Sequence, residues 1–218
     1  MNQKIAISKI NACGILLVFP INNNKEPLSL WSKFFPRTPM RWEWNEDGDN
    51  RVGEMWSLMK KLSDSTTVVY SKWYQGRATF FSRELFTALV CVSLFYFTDP
   101  EVSRTGRDLL ECLESDSPLS TKELKKLTEL RGKENEKFYN RAMKELFSKF
   151  LIVAFGEVDD GAFPSLAEGP TRILYEDIFN QAREMKKAQA QKIINRFMPE
   201  GSLFRKYLDK TNAPSASL

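Results

Sequence analysis

Apolar and polar positions change their rhythm along this chain, and the changes mark out its elements. Between Asp49 and Leu62, the residues Val52, Met55, Trp56 and Met59 recur at helical spacing and predict a helix with one buried stripe. A shorter helix is expected from Leu28 to Phe35, ended by Pro36, because the position before a proline disfavours helical backbone. Thr66 to Trp73 is β-branched and aromatic, Gln75-Gly76 reads as a turn, and Ala78 to Phe81 as a returning strand, so a hairpin is predicted. Ser82 and Glu84 then open an apolar run, Leu85 to Phe97, of about a dozen residues broken by Thr87 and Ser93, short of the ~20 that span a bilayer. It reads as a buried core helix.

The second half has a clearer rhythm. An amphipathic helix from about Glu101 to Glu114 should bury Val102, Leu109, Leu110 and Leu113. After Pro118, Ser120-Thr121-Lys122-Glu123 forms a capping box, and the helix it opens is expected to carry Leu124, Leu127 and Leu130 inward and to end by Gly132. A third helix is predicted from about Glu134 to Phe150, with Phe138, Tyr139, Ala142, Met143, Leu146, Phe147 and Phe150 as its apolar side. Leu151 to Phe155 reads as a strand, Asp159-Asp160-Gly161 as a hairpin turn, and Ala162-Phe163 as the start of a returning strand. Three helices followed by a hairpin is the order of a winged helix; the same order occurs in other α+β domains. Further helices are expected from Pro170 to Met185 and from Ala188 to Phe197, with a short one from Ser202 to Leu208 before a frayed tail.

The expected architecture is α+β and mostly helical. Its predicted parts are an aromatic-rich α+β domain over 1–99, with a winged helix among its candidate folds, a winged-helix domain over 100–170, and C-terminal helices over 171–211. All five tryptophans precede Pro100, and no sequence repeat joins the halves. A buried core explains Trp31 and Trp56 best, whereas Trp42 and Trp44 suit a core or an exposed recognition surface equally.

Composition narrows the chemistry. The chain has no histidine, which removes Ser-His and Cys-His catalysis and the commonest zinc ligand, so any catalysis must rest on carboxylates, amides, Lys or Tyr. Cys13, Cys91 and Cys112 share no metal-binding spacing and are too scattered for a disulfide framework, which points to a reducing compartment. The N-terminal run Gly14 to Phe19 ends at Pro20 without a small-x-small cleavage site, so a cytoplasmic chain with a buried first strand or helix is expected. No cofactor, metal or membrane partner is expected. A net charge of +4 and a pI near 8.9 permit nucleic-acid binding without requiring it.

Local charge is more informative. Lys133, Lys137, Arg141 and Lys144 fall along one face of the third helix, with Asn140 beside them as a base-reading amide. Such a stripe is also what any solvated amphipathic helix shows; the helix order with a following hairpin favours duplex DNA. Lys72 and Arg77 flank the Gln75-Gly76 turn, where a backbone without a side chain lets a phosphate approach. Candidates for a catalytic polar group are Glu43, Glu46 and Gln75.

The block Ser120-Thr121-Lys122-Glu123-Leu124, Gly132-Lys133-Glu134, Phe138 to Leu146 and Leu151 to Glu157 resembles winged-helix proteins of the AlkZ type. Lys72 to Thr79 is similar to the aromatic, basic hairpin of the shorter AlkZ-related proteins. The resemblance covers roughly 13–180 and implies double-stranded DNA as a partner, possible damage recognition, and a place in DNA repair. The family's Gln-x-Gln or Gln-x-Asp signature lies near its N-terminus, and this N-terminal region has none; Gln189-Ala190-Gln191 matches only in letters, in a C-terminal helix. Three functions follow: a DNA-binding protein without the family's standard catalytic motif, a DNA glycosylase acting on damaged or crosslinked bases, or a non-catalytic protein-interaction scaffold.

Overall fold

The computed structural model describes residues 1–42, 50–96, 102–158 and 165–212. In chain order these form α1 (Gln3–Cys13), β1 (Ile15–Leu17), α2 (Leu30–Phe34), α3 (Asn50–Ser63), β2 (Val69–Ser71), β3 (Thr79–Phe81) and α4 (Arg83–Tyr96). They continue as α5 (Arg104–Ser115), β4 (Leu119–Ser120), α6 (Thr121–Leu127), α7 (Glu136–Ser148), β5 (Ile152–Val158), β6 (Ser165–Pro170), α8 (Thr171–Leu174), α9 (Glu176–Glu184), α10 (Lys187–Phe197) and α11 (Leu203–Asn212). The fold is α+β, with helices around one antiparallel six-stranded sheet of order β1-β3-β2-β5-β6-β4.

Two successive sets of elements share one order. Helix, strand, helix, helix, strand, strand runs from α1 to β3 and again from α5 to β6. In each set the first strand pairs with the third and the third with the second, and β2 meets β5 to close the sheet through Tyr70 opposite Ala154. One row of residues therefore crosses all six strands: Leu16, Phe80, Tyr70, Ala154, Glu168 and Leu119.

Side chains alternate between the sheet's faces. Ile15, Leu17, Val69, Phe81 and Val153 face α4 and α9–α11, and pack there with Trp73 and Phe150. Leu16, Tyr70, Phe80 and Ala154 face α1–α3, whereas Ile152 and Leu119 face α5–α7. Strands covered on both faces read as unbroken apolar runs, which is why Ile15 to Leu17 lacks a polar alternation and Thr79, the polar residue of β3, is itself buried. Trp73 is the hub of the first face, stacked on Phe150 at 5.8 Å and edge-on to Tyr207 at 4.9 Å.

Several expected boundaries and orientations change. The strand expected from Thr66 shrinks to Val69–Ser71, because residues 66–68 are still turning after α3 and Trp73 to Gly76 forms the hairpin turn. The helix expected from Pro170 divides at Tyr175, whose backbone leaves helical geometry while its hydroxyl donates to the Val68 carbonyl at 3.1 Å. Trp56, expected in the core, is 45% exposed and lies against Phe19, because Leu58 and Leu62 take the inward positions of α3. Leu127 and Phe138, both expected inward, are 55% and 59% exposed: α6 turns out of its helix after Leu127, and α7 buries Tyr139 and Ala142 instead. The turn expected at Asp159-Asp160-Gly161, the strand start at Ala162-Phe163, and Trp44 lie outside the described residues.

Candidate functional site

The local geometry of the site begins with two caps and a turn. Ser120 Oγ accepts from the Glu123 backbone at 3.1 Å and Glu123 Oε2 accepts from the Ser120 backbone at 3.0 Å, the reciprocal box that fixes the start of α6. Thr121 and Lys125 follow on that helix. Across from them, Arg77 N donates to Tyr74 O at 2.9 Å, and both central residues of this turn, Gln75 and Gly76, have positive φ. That is the type I′ signature, whose twist suits a tight hairpin. Nothing lies within 4 Å of where a Gly76 Cβ would stand, so this glycine serves backbone conformation and leaves an open approach.

Between this turn and the α6–α7 pair lies a cavity of about 490 Å³. Lys72, Gln75 and Gly76 line it from the hairpin, Thr121 and Lys125 from α6, Glu136, Tyr139, Asn140, Met143, Lys144 and Phe147 from α7, and Glu168 from β6. Its volume falls within the range of small-molecule sites. Lys125 Nζ donates to Glu136 Oε2 at 2.6 Å and sits 4.5 Å from the Tyr139 ring centroid, a clamp at the rim. That hydrogen bond, reinforced by the lysine's charge and by Asn140, holds the Glu136 carboxyl below its ordinary value.

Glu168 is the unusual residue. It is 3% exposed in the middle strand of β5-β6-β4, and the Tyr139 hydroxyl donates to its Oε2 at 3.4 Å, long for an O–H donor. Burial pushes its carboxyl up to about 7, opposed by the charges of Lys72 and Lys125 and by the Tyr139 hydrogen bond. Burial likewise pushes the Tyr139 hydroxyl far above its ordinary range, so that it remains a donor. The floor of the cavity is therefore a carboxyl poised between protonation states near neutral pH.

The expected binding residues divide around this cavity. Lys72, Asn140 and Lys144 line it, as does Gln75 of the catalytic candidates. Lys133 lines an adjoining hollow of about 650 Å³ with Lys122, Lys125, Arg131 and Glu136. Lys137 and Arg141 are exposed on α7 outside both hollows, and Arg77 is exposed at the turn. Lys133, Lys137, Arg141 and Lys144 form no ion pair among the described residues. Asn140 donates to Glu136 Oε1 at 3.3 Å. Glu43 and Glu46 lie outside the described residues.

Sequence reasoning missed Glu168, Tyr139 as a site residue, and Lys125. Lys125 has no signal beyond its place on the helix that the capping box opens, Tyr139 counts among the apolar side of the third helix, and Glu168 gives no signal beyond alternating with Leu166 before Gly169-Pro170. No group of three Cys, Asp or Glu that could hold a metal forms among the described residues, and no helix there is long and apolar enough to cross a membrane. The family model described as AlkZ related matches residues 2–202. No curated protein and no solved structure matches the chain.

Proposed function

The chain belongs to the AlkZ-related family, which makes it a DNA-repair-related protein, and from that premise we propose that it binds duplex DNA through α7 and the β2–β3 hairpin. In this reading, α5 to β6 is a winged-helix unit, α1 to β3 a second one, and the helices after Pro170 brace the sheet between them. The observation that carries it is the row Lys137, Arg141 and Lys144 on α7, with Lys133 in the turn before that helix, all exposed and free of ion pairs among the described residues beside a cleft lined by Lys72. Charge held unneutralised on a helix face suits a polyanion, whose counterions are released on binding. Three free cysteines accord with a reducing cytoplasm as the place of action.

Fluorescence anisotropy with an undamaged duplex over a series of salt concentrations tests this. Replacing Lys137, Arg141 and Lys144 together with Ala should lower affinity at least about tenfold and reduce the salt slope by roughly 2–3, near 0.9 per lost phosphate contact. A chain that does not bind at low salt, or a triple variant that binds as before, overturns the proposal.

A second reading, hydrolysis of the bond between a damaged base and its sugar, is favoured by Glu168. A carboxyl near pKa 7 at the floor of a cleft is suited to accept a proton from an attacking water. Release of base from alkylated duplex at saturating protein, lost in Glu168→Gln, is the expected result; no release from alkylated or crosslinked DNA removes this reading and leaves binding alone.

A further inference from the structure

Building on the duplex-binding reading, we propose that the cavity between the β2–β3 turn and α6–α7 holds a single unstacked nucleobase, with its polar edge on Glu168. The lining discriminates among ligand classes. A free phosphate would meet the Glu168 carboxyl, and a polyamine would meet Lys72, Lys125 and Lys144, which line the same cavity. A ligand with a neutral hydrogen-bonding part for Glu168 and an anionic part for the lysines satisfies both, and a nucleotide carries both.

The walls fit the neutral part. Met143 and Phe147 supply apolar surface from α7, and the Tyr139 ring, held by Lys125, supplies a flat aromatic one. Glu168 either accepts from an exocyclic amine or, protonated, donates to a ring nitrogen, and the Asn140 and Gln75 amides stand at the same cavity. The open side of Gly76 leaves the nucleotide backbone a route past the turn. Hydrogen bonding to the edge together with stacking is how unstacked bases are held.

The full chain titrated into a duplex carrying 2-aminopurine opposite a mismatch tests this, because the fluorophore brightens when it leaves the stack. Anisotropy of the same samples reports duplex binding separately. Wild type should brighten the base; Glu168→Gln, and Met143→Ala in the apolar wall of the cavity, should each lower the brightening about tenfold while duplex affinity stays within about threefold. Thermal unfolding of both variants establishes that they fold. Duplex binding without brightening, or brightening that survives both variants, overturns the pocket and leaves the duplex-binding reading standing. Titration with free deoxynucleoside 5′-monophosphates separates the remaining case. Binding of these sensitive to Glu168→Gln, in a chain that ignores duplex, overturns the duplex reading and sustains the pocket; binding of neither overturns both.

Discussion

The two sets of elements that make up this sheet have the same order and the same strand pairing, yet they place different chemistry at matching positions. In the row that crosses the six strands, Phe80 of β3 and Glu168 of β6 occupy corresponding places, flanked by Tyr70 in one set and Ala154 in the other. The first set fills its position with an aromatic ring, 5.1 Å from the Tyr70 ring. The second has a carboxyl next to a methyl group, and a cavity stands over it. The third helices differ in the same way. Arg51 of α3 lies 6.0 Å from the Trp31 ring and 5.0 Å from Phe35, so its cation is engaged in packing, whereas the cations of α7 are exposed. One topology thus supports a half whose matching position is packed and a half in which that position lines a cavity, and the difference resides in side chains.

Breaking the packed half should have the largest effect. Phe80→Ala removes a fully buried ring and should lower stability by about 3–5 kcal/mol, measured by denaturant unfolding. Glu168→Gln should act in the opposite sense. The folded-state value near 7 lies above the ordinary 4.5, so the native state holds an extra proton between those values. The contribution of this group to stability is then fully present below about pH 4.5 and is lost as pH rises through 7. The amide removes that loss, and unfolding at pH 8 should show a gain of up to about 3 kcal/mol, with a flatter profile from pH 5 to 8. A wild-type profile that is already flat there would show that Lys72, Lys125 and Tyr139 keep the carboxylate ionised.

Smaller effects sharpen the contrast. Ser120→Ala takes away the α6 cap and should cost about 1 kcal/mol by thermal unfolding, loosening the wall that carries Lys125. Smallest of all, Lys60→Ala with Lys61→Ala on α3 should change duplex affinity by less than about twofold at moderate salt, if DNA lies on α7 and the β2–β3 hairpin rather than on α3. An effect equal to that of the α7 variants would mean that both third helices contact the duplex.

Much of this architecture could be read from the chain. The capping box located α6, the apolar periodicity located α3, α4 and α7, and Gln75-Gly76 marked the hairpin turn. Those signals are local. The two-residue β4 is too short to have a period, and the shared order of the two sets leaves no trace because Phe80 and Glu168, or Tyr70 and Ala154, share no chemistry. Leu127, Phe138 and Trp56 have apolar spacing but face outward, since spacing identifies a stripe without saying which residue at its edge the neighbouring helix will cover. Of the binding residues, the α7 row and Lys72 were visible as charge. Their meeting with Glu168 was not, because strands distant in sequence bring them together.

The seam between the two sets also has a consequence for when the site comes into being. It is closed by Tyr70 opposite Ala154 and by the Tyr175 hydroxyl on the Val68 carbonyl, a contact between residues 107 positions apart. Contacts of such long sequence separation form late, after the loop entropy between them has been surrendered. During synthesis the hairpin bearing Lys72 and Gln75 emerges well before α7 and β6 exist, and it waits as half a wall. The cleft therefore depends on contacts far apart in sequence, and a chain stopped before β6 carries the hairpin and α7 without Glu168.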